Sequence, residues 1–84
     1  MTGVKAPRRT LISKGGTRTP NGIQSDADIY RIGSRIGHFE LIEKAGVYYT
    51  RNDVLWTESL GRLRNDTEAM AVWQGWLRSH GVIA

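Results

Sequence analysis

The stretch Leu41-Ile42-Glu43-Lys44-Ala45-Gly46-Val47-Tyr48-Tyr49-Thr50-Arg51-Asn52 decides how the rest of the chain is read. Its first half runs into Gly46, a residue that enters the left-handed conformation of a helix stop without a Cβ penalty. Its second half, Val47 to Arg51, is β-branched and aromatic and suits a strand. The stretch therefore predicts a helical turn from His38 to Ala45, stopped at Gly46 and followed at once by a strand. Side chains alternate along a strand, so one of Tyr48 and Tyr49 faces the core and the other faces out. Val54-Leu55-Trp56-Thr57 is a second strand-like run, which makes Asn52-Asp53 the turn of a β-hairpin.

Working outward, Ser25 and Asp28 have the spacing of a capping box, and Ile29, Ile32 and Ile36 recur at helical intervals. These residues predict an amphipathic helix of about ten residues, with Arg31, Ser34 and Arg35 on its wetter side. Gly33 weakens that helix and Gly37 ends it. In the helical turn that follows, Phe39 and Ile42 point inward and Glu40, Glu43 and Lys44 outward. Downstream, Glu58 to Arg64 reads as a connection. Asn65 with Glu68 again has N-cap spacing, and Ala69, Met70, Trp73, Trp76 and Leu77 trace one face of a helix ending near Ser79. Gly81 stands beyond it as a stop. At roughly 25 cal/mol per Å² of apolar surface, the two tryptophans and Leu77 make this helix the main contributor to the core. The predicted fold is α+β: helix, helical turn, β-hairpin and C-terminal helix over residues 25–84, behind a basic arm over residues 1–24.

Composition limits what such a chain can do. With 84 residues there is room for one small domain. With no cysteine there is no disulfide, thiolate metal site or cysteine nucleophile, which suits a reducing cytoplasm. No apolar run approaches the ~20 residues that cross a bilayer, and the first residues lack the apolar stretch of a signal peptide, so no membrane partner is expected. The net charge of +4 is unevenly spread. Lys5, Arg8, Arg9, Lys14 and Arg18 give the arm +5 with no acid, whereas from Gly22 onward seven basic residues face eight acidic ones. The arm also holds Pro7 and Pro20 and few large apolar residues, so it is expected to stay disordered until it meets a partner.

Catalysis is not expected. There is no Gly-x-x-x-x-Gly-Lys-Ser/Thr phosphate loop. His38 and His80 are the only histidines and lie far apart in sequence, the second reading as a residue over the end of the last helix. The carboxylates read as a solvated face. No enzyme activity, metal or cofactor follows from these residues.

Leu41-Ile42-Glu43-Lys44-Ala45-Gly46 followed by Val47-Tyr48-Tyr49-Thr50 resembles the C-terminal domain of bacterial RecA recombinases at its helix-to-strand junction. Gly22-Ile23, Asp28 to Arg35 and Trp76-Leu77-Arg78 are similar to further segments of that domain, so the resemblance spans roughly residues 22–80. It implies a module without the ATPase core that captures double-stranded DNA, accessory to recombination or phage DNA metabolism. By the same resemblance Arg35, Lys44 and Arg51 are the candidate phosphate contacts on the domain, although Asn52 stands at the hairpin's usual basic position and Asp53 follows it. The charges of Lys5, Arg8, Arg9, Lys14 and Arg18 would add sequence-independent contacts from the arm. The other reading is a structural or interaction protein, a virion or large-complex component or a small inhibitor, whose basic arm threads along a protein or nucleic-acid neighbour.

Overall fold

Ala45 and Gly46 both take positive φ, 53° and 81°, so the decisive stretch folds back on itself. Two successive residues of this kind make a two-residue hairpin turn whose twist matches that of its strands. In this computed structural model the described residues are 6–16, 18–19, 22–23, 27–53 and 57–84, with backbone alone for residues 18, 19, 22 and 23. They form β1 (Arg9–Ser13), β2 (Arg18–Thr19), β3 (Gly22–Ile23), β4 (Ile29–Ile36), β5 (Phe39–Lys44), β6 (Val47–Asn52), β7 (Thr57–Gly61) and α1 (Asp66–Ser79). Strands β1, β4, β5, β6 and β7 make an antiparallel sheet in that spatial order, and β2 pairs with β3 separately.

The α+β class holds, with one helix among the described residues rather than three helical elements. The helix expected over 25–36 is strand β4, and the helical turn expected over 38–45 is strand β5. The physical reason lies in the spacing of the isoleucines, with Ile29 on one face of β4 and Ile32 and Ile36 on the other. Between Ile32 and Ile36, β4 carries Gly33, Ser34 and Arg35 where β5 has only Glu40, and Gly33 sits at φ 71°. This bulge sets three residues opposite one and so keeps the phase of the alternation: Ile32 and Ile36, four apart, both reach the core from a strand, and a spacing of four fits a helix equally well. Asp28, expected to cap a helix, instead accepts a hydrogen bond from the Gly15 amide at 2.7 Å; Ser25 lies outside the described residues. Gly37, at φ 60°, belongs to the turn between β4 and β5.

The expected strand at Val47–Arg51 is β6, which runs to Asn52. Its partner is β7 over Thr57–Gly61, so part of the expected connection is strand; Val54, Leu55 and Trp56 lie outside the described residues. In the arm, Arg9–Ser13 is corrected to edge strand β1, paired with β4, while residues 1–5 and 24–26 lie outside the described residues.

The C-terminal helix forms as the sequence predicts. Asn65 accepts from the Glu68 amide at 2.8 Å, satisfying one of the free N–H groups of the first turn. At the other end, Gly81 at φ 75° and a bond from the Val82 amide to the Leu77 carbonyl at 2.9 Å close the helix. Its buried residues Ala69, Trp73 and Leu77 lie against one sheet face, where Ile32, Leu41 and Tyr48 complete the core. Trp73 is fully buried, and its indole N–H donates to the equally buried Thr50 hydroxyl at 2.9 Å. That bond removes the desolvation penalty of two polar groups inside the core.

Candidate nucleic-acid interface

Strand register sorts the side chains into two faces. Tyr30, Glu43 and Tyr48 are cross-strand partners on the helix-covered face, as are Ile32, Leu41 and Thr50. Arg31, Ile42, Tyr49 and Ser59 form a row on the opposite face, called the open face because no described helix or strand covers it; Ile29, Lys44 and Val47 form another, and Glu40, Arg51 and Thr57 a third. Tyr48 is thus the inward tyrosine and Tyr49 the outward one.

The charged groups of the covered face are mutually engaged. Arg9 reaches from β1 to Asp66 at the start of α1, donating from Nε to Oδ2 at 2.7 Å and from a terminal nitrogen to Oδ1 at 3.0 Å. Its other terminal nitrogen lies 3.2 Å from Glu43, and its guanidinium stands 4.9 Å from the Tyr30 ring centre. The Tyr48 hydroxyl donates to Asp66 at 2.5 Å, and Glu43 accepts from the Gly46 amide at 2.6 Å. The hydrogen bond from Arg9 holds the Asp66 carboxyl below the usual carboxylate range, and Asp66 in turn raises the Arg9 guanidinium. Burial, and then the bond to Asp66, pushes the Tyr48 phenol up to about 12. This cluster ties β1, the β5–β6 turn and the helix start together.

The open face is different. Arg51 is engaged by the buried Glu40 at 2.6 and 2.8 Å. Arg31 and Lys44 have no acidic partner among the described residues, and the Nε of Arg31 is buried without a hydrogen-bond partner. Ile42, between Arg31 and Tyr49 in the strand register, is only 6% exposed. Glu40 is the one acid among the described strand residues of this face.

The residues singled out in the sequence therefore separate. Lys44 and Arg51 share the open face, on adjacent strands. Arg35 lies elsewhere, at the sheet end near the β4–β5 turn, bound to Asp53 and to the His38 carbonyl. His38 adds a 2.8 Å contact to the same carboxylate, and the bond from Arg35, before that of His38, holds Asp53 below its ordinary range. Arg9 is the anchor of the covered face. Arg8 and Lys14 flank β1 and are exposed; Lys5 and the Arg18 side chain lie outside the described residues. Arg31 is the basic residue of this face that sequence reasoning did not single out. A period-two reading of Ile29 to Ile32 would have found it, opposite Tyr30 and Ile32.

His80 stacks on Trp76 with ring centres 3.9 Å apart, its Nδ1 2.9 Å from the Trp76 carbonyl oxygen. Among the described residues no three His, Asp or Glu side chains gather as a metal site, and no helix is long and apolar enough to cross a membrane. Comparisons with protein-family models, with curated proteins and with solved structures gave no match. At residues 41–46, the helix that the RecA resemblance implies is strand β5 and a hairpin turn.

Proposed function

We propose that this protein is a non-catalytic, sequence-independent nucleic-acid-binding module whose contact surface is the open sheet face. The observation that carries the reading is the grouping of Arg31, Lys44 and Arg51 around Tyr49, with Glu40 the only acid among the described strand residues there. Among the described residues of this face, Lys44 and Arg31 are the cations without an acidic partner, left for phosphate. Each phosphate they neutralise releases counterions, so binding weakens steeply as salt rises. Double-stranded DNA satisfies these contacts through its backbone alone, and Arg8 and Lys14 extend the basic surface along the chain. A role beside recombination or phage DNA metabolism rests on the likeness at residues 41–50.

A duplex-DNA titration at several salt concentrations tests the reading. Lys44→Ala and Arg31→Ala are each expected to lower the slope of log affinity against log salt by about 0.9, the share of one phosphate contact. No binding at low salt would overturn it. Deleting residues 1–21 is a poorer test, because it also removes β1 and the Arg9 anchor.

A second reading, an interaction protein, draws support from β1. This strand ends the sheet among the described residues, and its Leu11 and Ile12 are 48% and 36% exposed. An uncovered edge of this kind accepts a further strand. Light scattering of the purified chain, alone and with a candidate partner, tests it.

A further inference from the structure

Phosphate binding does not account for everything on the open face. Ile29, Ile42, Lys44, Tyr49 and Thr57 line a cavity of about 300 Å³. By register all of them belong to that face. The walls are apolar at Ile29 and Ile42, aromatic at Tyr49 and cationic at Lys44. Arg31 pairs with Ile42 and so lies diagonal to Lys44, a separation of roughly 7–8 Å on adjacent strands. The volume is at the lower end of the ~300–1,000 Å³ of small-molecule sites, room for one ring system and not for a helix of stacked pairs.

A duplex presents phosphates outside and keeps its bases stacked within, so it can engage Lys44 and Arg31 but leaves the apolar wall unused. An unpaired nucleotide can use both. We propose that this cavity receives an unpaired base of single-stranded DNA, its ring against Tyr49 and Ile42 and its phosphate on Lys44 and Arg31. The inference rests on the nucleic-acid reading and names the form of ligand that the open face prefers. A second cavity, about 410 Å³ and lined by His38, Phe39, Asn52 and Asp53, lacks this chemistry. Its carboxylate repels a phosphate, and Arg35 beside it is already bound to that carboxylate.

The test compares three labelled ligands by fluorescence anisotropy on the full chain: oligo-dT of roughly a dozen nucleotides, the corresponding duplex, and an abasic strand of equal charge. Stacking one base contributes about 1–3 kcal/mol, so oligo-dT should bind at least about 5-fold tighter than the abasic strand. It should also bind tighter than the duplex. Tyr49→Ala should remove that preference and Tyr49→Phe should keep it. The abasic comparison uses the unaltered protein, so it stands even where Tyr49→Ala fails to fold. Equal binding of oligo-dT and the abasic strand overturns the base cavity while leaving phosphate binding intact. Failure to bind any of the three overturns the nucleic-acid reading itself.

Discussion

The two faces of the sheet carry similar residue types and use them in opposite ways. On the covered face Arg9, Glu43, Tyr48 and Asp66 satisfy one another, and their charge is consumed in joining β1 to the helix. On the open face Glu40 engages Arg51, and Arg31 and Lys44 have no acidic partner among the described residues. A basic residue's meaning thus depends on what its face already supplies. The count of lysines and arginines does not reveal it.

That contrast can be broken first at the centre of the covered face. Trp73→Ala removes the largest fully buried side chain and leaves the Thr50 hydroxyl unpaired. A loss of about 3–5 kcal/mol is expected, comparable to the whole stability of a domain this small, and denaturant unfolding will measure it.

Next is the polar cluster. Asp66→Asn should cost about 1–2 kcal/mol, discounted because Arg9 is partly exposed. Because the folded carboxyl of Asp66 is depressed, its stabilisation is present above the unfolded value near 3.9 and lost as pH falls through the lower folded value. For Tyr48 the sign is reversed. Its raised value gives stabilisation that is complete below about pH 10 and fades as pH climbs toward about 12. Melting temperature followed against pH should show both losses, with Asp66→Asn removing the acid one and Tyr48→Phe the alkaline one.

A smaller effect of opposite sign is expected at the turn. Ala45 at φ 53° bears a left-handed strain of about 1–2 kcal/mol, and Ala45→Asn should recover up to about 1 kcal/mol, seen as a higher unfolding midpoint. The smallest stability change is expected on the open face. Lys44→Ala should move the midpoint by less than about 0.5 kcal/mol while weakening DNA binding, the outcome that most sharpens the contrast between the faces.

Much of this was legible in the residues. The helix from Asn65 to Ser79 and the strand after Gly46 announce themselves through capping, periodicity and β-branching. The strands β4 and β5 do not. Ile29, Ile32 and Ile36 mimic a helical period because β4 is apolar on both faces, Ile29 on one and Ile32 and Ile36 on the other, and Leu41-Ile42 is likewise apolar on both faces of β5, between β4 and β6. The open face was half visible: Lys44 and Arg51 were named, whereas Arg31 was hidden by the helical reading and Arg35 and Arg9 were not seen to be neutralised.

By itself, then, the sequence determined the final helix and its apolar stripe, the break at Gly46 and the alternation of Tyr48 and Tyr49, because these depend on neighbours along the chain. Only the tertiary structure decided that Leu41 to Asn52 is a hairpin within a five-stranded sheet and which of its cations keep their charge available. Strand pairing and ion pairing both join residues distant in sequence: Arg9 finds Asp66, and Glu40 finds Arg51, only once the sheet has formed.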